Sequence, residues 1–584
     1  MNKLFSSSFR YSFLAISLLV IALTSCTKDD KTESEGDGTE ITIDLAGIDD
    51  PTNVNSSIAR SVTGTANAES ILSQKILAQE IKHFEEDGLD AIVTLSEIKD
   101  NSIKDSINTT NNVDPLNTKS SATLTSPRAP LPSGIAYRVV FYENGVYRAT
   151  VNATSGSEFK WTSASRLRTY TWFAYSVNTS SAFTGNFSST ATTIDVSNSS
   201  AFLFASGTIS TNPDNRNNKL NIVLQNKSAR IDVVLDGRGM FGRMLNISAN
   251  NITPNHLKSG TFNWQQQTYN STYNPNTLIT TVNNAGFVNY NTSSADSIRV
   301  GTFYTVDGVN PISDFGIRAS FSVSPDASNF GNRNFSNKNF NFTGTTFTPQ
   351  IGYRYRITIT PIMSTKTLNG VEWARTNLFY NATRRAYGFR HHGSNRYGTS
   401  TNVESAGEFF NWRAILPTFG AATNQGDPCA MVYPATKVGN NWVGHWRMPT
   451  RDEATALANT SSPARSLATA TDDQLVRYFN FNYGGTDDYG NNWIVFILYG
   501  YRNVGSNTIT GFSNNGNVDG EGYFWTSTAG ATPGQAYQLS FNTDGATILT
   551  NTERNVNAGL NIRCVRNTTW TSANMPALPP ATYQ

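Results

Sequence analysis

The groups with the strongest chemistry in this chain are few: three cysteines and five histidines in 584 residues. His391 and His392 are adjacent and His445 stands beside Trp446, but no nucleophile motif accompanies them. No Ser-His-acid grouping is readable, so the expectation is a protein that is not an enzyme. Cys26 sits in IALTSCTKDD, directly after an apolar run and directly before a cluster of charges. Once Cys26 is set apart, Cys429 and Cys564 remain, and neither has a second Cys or a His nearby to build a metal site. In an oxidising compartment they most simply form one disulfide, with loop closure contributing about 4–5 kcal/mol. Oxygen ligands occur on two loop-like stretches, Thr486 to Trp493 and Asn517 to Gly522, where Asp487, Asp488, Asp519 and Glu521 suit Ca²⁺. Asp-Gly and Asn-Gly are equally the commonest turn chemistry, and no spacing here matches a defined calcium loop. No cofactor is required, and calcium is a candidate ion for these loops. Trp412, Trp442, Trp493, Trp525 and Tyr499 could stack on sugars, although large aromatics more often fill cores. Trp493, set between polar loop residues, is the candidate ligand contact.

The elements that would place Cys26 lie upstream of it. Lys3 and Arg10 give a positive start, and Phe13 to Leu23 is an apolar core too short to span a bilayer with protein on both sides. Leu23-Thr24-Ser25-Cys26 brings small residues to the point where a signal peptidase cuts. The pattern resembles a bacterial lipoprotein signal over residues 1–25, in which Cys26 is lipidated by palmitate-type chains and becomes the first mature residue. A plain signal peptide with an incidental cysteine is the alternative. Two acyl chains hold in a bilayer where one is marginal. Lys28-Asp29-Asp30, followed by Glu33 and Glu35, resembles the surface-export signal of lipoproteins from Bacteroidetes-type bacteria, though any solvated tether would also be charged. The expected location is the outer membrane, lipid-anchored and on its extracellular face.

Composition agrees with an extracytoplasmic β-rich chain. Charged residues are only 15% and aromatics 11%, with Asn, Thr, Ser and Gly crowding the mature region. A net charge of +2 with no basic stripe argues against nucleic acid as a partner. Residues 26–38 read as an acidic tether. Residues 39–128 form an N-terminal segment with a first strand at Glu40 to Leu45 and a helical insert. That insert, Asn67 to Asp87, places Ile71, Leu72, Ile76, Ile81 and Phe84 on one helical stripe, with Gly88 as its stop. The polar stretch Lys99 to Ser126 reads as a loop.

After Pro132-Ser133-Gly134 the texture becomes short strands with polar turns. Ala136 to Tyr142 and Val146 to Val151 flank Asn144-Gly145, a hairpin signal. Thr169 to Ser176 alternates, Leu220 to Leu224 and Arg230 to Leu235 read as a pair joined by Gln225 to Ser228, and Tyr353 to Thr360 is a further strand. Such spacing predicts two β-sandwiches, 129–225 and 226–363.

This region resembles the fimbrillin family, the lipoprotein-derived pilus subunits of Bacteroidetes. The resemblance rests on Gly134 to Tyr142, Tyr170 to Ser176, Leu203 to Gly207, Asn221 to Leu224 and Ser228 to Val233, in that order. It implies two tandem transthyretin-like β-sandwiches whose subunits assemble with other fimbrillins by donor-strand exchange, a neighbour's strand closing an open sheet edge. It also implies cleavage after an arginine to free the first strand, with Arg60 and Arg128 as the candidate sites.

From Gly370 the chain turns aromatic and glycine-rich. Gly370 to Leu378, Gly444 to Glu453, Gly522 to Thr528 and Gly559 to Asn567 together resemble the Fibrobacter succinogenes major paralogous domain over 366–568, leaving 569–584 as a tail. Thr450 before Arg451-Asp452-Glu453 is a helix start. The resemblance implies an α+β C-type-lectin-like domain, related to formylglycine-generating enzymes, with Cys564 in a closing strand where a structural bridge is expected. The expected whole is mainly β: two sandwiches followed by the lectin-like domain. Its expected function is a fimbrial adhesin at the tip, binding host or bacterial surface glycan or protein. The rival is a surface polysaccharide-capture lipoprotein for nutrient uptake that does not polymerise.

Overall fold

The computed structural model describes residues 38–49, 72–84, 87–100, 132–183, 187–212, 217–240, 242–251, 257–273, 281–282, 286–290, 297–325, 333–381, 386–389, 407–417, 420, 423–432, 435–438, 441–460, 464–469, 477–482, 493–506, 508–511, 521–542 and 547–570. Across these the protein is mainly β. A seven-stranded sheet runs from edge to edge through Val146–Thr154, Ala136–Glu143, Thr169–Ser176, Leu203–Ser210, Asn217–Asn226, Gly38–Asp49 and Phe159–Ser165. One set of its side chains, including Tyr137, Val139, Phe141, Ile222 and Leu224, is fully enclosed. Alternate residues such as Val140, Phe173 and Tyr175 pack instead with Phe262 of a three-stranded sheet and with Trp264, which follows its middle strand. This is the period-2 logic of a strand buried on both faces. Asn144 and Gly145 adopt φ 51° and 78°, the left-handed pair that a two-residue hairpin turn demands.

The first strand, Gly38–Asp49, lies inside this sheet rather than at its edge. It pairs in parallel with Asn217–Asn226 and antiparallel with Phe159–Ser165, both from much later in the chain. Ile41 and Ile43 are fully buried in the sheet's core. Each such side chain is worth about 1.5–3 kcal/mol of burial. The buried Asn218 amide pins the start of the strand, donating to the Glu40 carbonyl at 3.0 Å and to Thr39 Oγ1 at 3.1 Å.

A second, six-stranded sheet orders Val288–Asn289, Ile298–Thr305, Ala229–Asp236, Arg354–Met363, Leu89–Asp100 and Leu72–Phe84. It faces the four-stranded sheet Thr281–Val282, Gly242–Asn251, Gly316–Pro325 and Arg333–Asn341 across a shared apolar layer. Leu89, Ala91, Val93, Ile231, Val233 and Ile357 meet Ile247, Ala319, Phe321 and Phe340 there, which makes a β-sandwich.

Two expectations are corrected here. The helical insert at 67–87 is a strand: Leu72–Phe84 forms a long antiparallel hairpin with Leu89–Asp100 and becomes the sheet's outermost member. A bulge between Ile76 and Ala78 shifts the register, so the apolar residues lose strict alternation and mimic a helical stripe. Ala78 and Phe84 turn to the sandwich core, whereas Ile81 packs on the opposite face with Ile92 and Ile362. Secondly, the strands containing Leu220 to Leu224 and Arg230 to Leu235 do not pair. They belong to different sheets, and the chain crosses between them where Asn226 Oδ1 accepts from the Ser228 amide at 3.0 Å and its hydroxyl at 2.8 Å. This side-chain turn redirects the backbone instead of reversing it into a hairpin. The loop reading at Lys99 to Ser126 lies outside the described residues beyond Asp100.

Among the described residues, those from Thr365 onward build several small sheets and one α-helix, Arg451–Ala458. Thr450 caps that helix: its hydroxyl accepts from the Glu453 amide at 3.2 Å, and Glu453 returns to the Thr450 amide at 2.8 Å. This part is fastened to the six-stranded sheet through Arg566, which pairs with the buried Asp90 and has Glu372 Oε2 at 3.0 Å from its Nε. His83 Nδ1 sits 3.0 Å from the other Asp90 oxygen, and Ile92, Ile362 and Trp570 pack around the junction.

Candidate functional site

Cys429 and Cys564 are joined in a disulfide with Cα atoms 5.7 Å apart, and both are fully buried. Cys429 is held by a short turn, Pro428–Met431, whose cap is Asp427: one carboxylate oxygen accepts from the Cys429 amide at 2.9 Å and the other from the Met448 amide at 2.7 Å. Burial pushes the Asp427 carboxyl up to about 6 against these two donors. A bridged sulfur is neither a thiolate nucleophile nor a free metal ligand. His445 is buried against Trp446 and Trp570, and burial, reinforced by Arg566 and His83, pulls its imidazole down to about 3. It is therefore a neutral core residue at physiological pH.

The predicted ligand groups are only partly within view. Cys26, Arg60, Arg128, His391, His392, Asp487, Asp488 and Asp519 lie outside the described residues. Glu521 is described, and its Oε2 accepts from the Tyr523 hydroxyl at 2.6 Å. Among the described residues no three His, Cys, Asp or Glu side chains are grouped to hold a metal ion. Trp493 lies on the strand Trp493–Ile497 opposite Asn482, and its side chain is outside the described residues. Trp446 and Trp525 are fully buried, and Trp525 Nε1 donates to the Phe410 carbonyl at 2.7 Å. Tyr499 is likewise core.

What the fold does bring together is a half-buried aromatic rim on that core, formed by Trp412, Trp442, Tyr501 and Tyr523. Tyr501 and Tyr523 meet edge to face at 5.0 Å. The Arg554 guanidinium lies over both rings, 3.8 Å from the Tyr501 centroid and 4.6 Å from that of Tyr523. Its Nε donates to Oε1 of the buried Gln538 at 2.7 Å, and Gln538 Nε2 is in turn held by Thr552 Oγ1 at 3.1 Å. Trp412 is oriented by its Nε1, which donates to the Thr526 carbonyl at 2.9 Å. The four rings and Arg554 come from five separate stretches of chain, and of them Trp412 and Trp442 stood out in the sequence as stacking candidates, whereas Tyr501, Tyr523 and Arg554 did not. The arrangement can present ring faces and a fixed cation to a ligand.

No family model matches the chain, and no curated protein does. Among solved structures it is similar to a candidate cell adhesion protein from Bacteroides fragilis, at 14% identity, over 50% of this chain and 94% of that one, with a TM-score of 0.28. It is similar to the fimbrial anchor protein Mfa2 from Porphyromonas gingivalis at 12% identity, over 34% and 74%, with a TM-score of 0.20. A candidate polysaccharide-binding protein from Bacteroides thetaiotaomicron is matched at 8% identity, over 34% and 72%, with a TM-score of 0.19. At such identities and scores the likeness says nothing about ligand or assembly.

Proposed function

We propose that this chain is a lipid-anchored surface adhesin of fimbrial type. Residues 129–225 and 226–363, with the strands from 39–128, form its assembly platform, and 366–568 form a lectin-like recognition head. One observation carries the reading. The first strand completes the seven-stranded sheet from the inside, although neither of its partners is its neighbour in sequence. A ladder of backbone hydrogen bonds and two isoleucine pockets is what a strand from another subunit would also use. The bulk of the head after Met363 leaves little room for this chain to donate a C-terminal strand, which favours the tip over the shaft. Half-buried rings and a bridged cysteine pair support recognition rather than catalysis.

The test is to shear surface fibres from cells and follow the intact protein through their purification. Recovery with the fibres, in a form released only by denaturant, is expected. Recovery solely as a monomer that captures soluble polysaccharide would replace this reading with a nutrient-uptake role.

A further inference from the structure

Arg554 is built into the head in a way that its packing does not require. A guanidinium has five donors in a planar fork. Only Nε is engaged, by Gln538; among the described residues neither Nη of Arg554 has a hydrogen-bond acceptor or an ion-pair partner. The plane of the group is fixed by the two tyrosine rings and by a glutamine that is itself buried and bonded. An arginine so clamped has already lost its side-chain freedom, so a ligand that meets the fork does not have to order it. Glu553, adjacent on the same strand, accepts from the Ala531 amide at 2.6 Å and the Thr532 amide at 3.1 Å, and Glu521 accepts from the Tyr523 hydroxyl at 2.6 Å.

We propose that Tyr501, Tyr523 and Arg554 form the ligand subsite of the head and that it takes a carboxylate-bearing sugar. The proposal deepens the adhesin reading and rests on it. The two Nη groups match a planar carboxylate bidentately, the geometry for which arginine exceeds lysine. The flanking aromatic rim, with Trp412 on the same core, offers apolar faces to the C–H groups of a pyranose ring. A neutral sugar satisfies the rings and leaves the fork unused.

The experiment measures binding of the full mature chain to trigalacturonate, a hyaluronan tetrasaccharide and sialyllactose, beside cellotetraose and the carboxyl-reduced form of each acid. At least one acid is expected to bind. Its reduced form is expected to bind the unaltered protein more weakly by about tenfold to a hundredfold, the loss of one charged bidentate pair. Arg554→Gln should lose as much, and Arg554→Lys, which keeps the charge without the fork, should lose most of it. The reduced ligands test the subsite without any change to the protein, so a folding defect in a variant cannot mask the answer. Binding of no acid, equal binding of acid and reduced forms, or acid binding unchanged in both variants each overturns the assignment. Tight binding of cellotetraose independent of Arg554 leaves the adhesin reading standing and removes this one. Arg554-dependent acid binding by a protein that never accompanies fibres does the reverse.

Discussion

Replacing both bridged cysteines with alanine is the sharpest test of how the head is held. The bond joins positions separated by 135 residues. A loop of that length, inserted in the chain-entropy relation, gives about 17 cal/mol/K, or about 5 kcal/mol at 25 °C. Alanine is preferred to serine because both positions are fully buried, and an unpaired hydroxyl there would add a separate penalty of about 1–3 kcal/mol. For a unit of roughly 200 residues each kcal/mol shifts the midpoint by about 2–4 °C, so the expected fall is about 10–20 °C. Scanning calorimetry of the mature chain, with tryptophan fluorescence assigning the transition that belongs to the head, reads it. Unaltered protein unfolded and refolded in reductant should show the same lowered midpoint. A fall of under about 3 °C, or two thiols that titrate in the native, unreduced protein, would refute the reasoning.

Two further perturbations address the junction and the turn beneath the bridge. Arg566→Ala strands the Asp90 carboxylate, whose side chain is 1% exposed, without its cation, and should cost about 3–5 kcal/mol by denaturant melts; the double variant with Asp90→Ala should recover part of that loss, and additivity of the two would show that the pair is not coupled. Asp427 has a carboxyl raised in the folded state from 3.8 to about 6, so its stabilising contribution is complete below pH 3.8 and is lost as pH rises through 6. The head should therefore gain up to about 3 kcal/mol between pH 7 and pH 4 relative to an Asp427→Asn variant, read as the difference between their melting curves, and parallel pH profiles would contradict the assignment.

Much of the platform was legible because period-2 alternation and turn residues report a strand locally. Thr169 to Ser176 coincides with the observed strand Thr169–Ser176, and Asn144-Gly145 turns as its residue types require. The capping box at Thr450 was equally local. Failures came where local pattern and tertiary setting disagree. The bulge at Ile76 to Ala78 broke the alternation of an outermost strand. Its partner Leu89–Asp100 went unread although Leu89, Ala91, Val93 and Leu95 alternate with Asp90, Ile92, Thr94 and Ser96, because the helical reading of 67–87 left no strand for it to pair with. Asn226 to Ser228 looked like a hairpin turn but carries the chain from one sheet to another. The first strand was visible at Glu40 to Leu45, yet its place between two strands from much later in the chain is a matter of topology that no local pattern encodes. The rim shares this difficulty. Tyr501, Tyr523 and Arg554 are individually ordinary, and only the paired strands of the head set a cation against two rings.

The central claim is that this chain ends a surface fibre and presents its head outward. Immunogold electron microscopy of intact cells, with antibody raised against 366–568, measures that directly. The account predicts single gold particles at the distal ends of fibres. Uniform decoration along the shafts, or label scattered over the cell surface with no fibre beneath it, would contradict it.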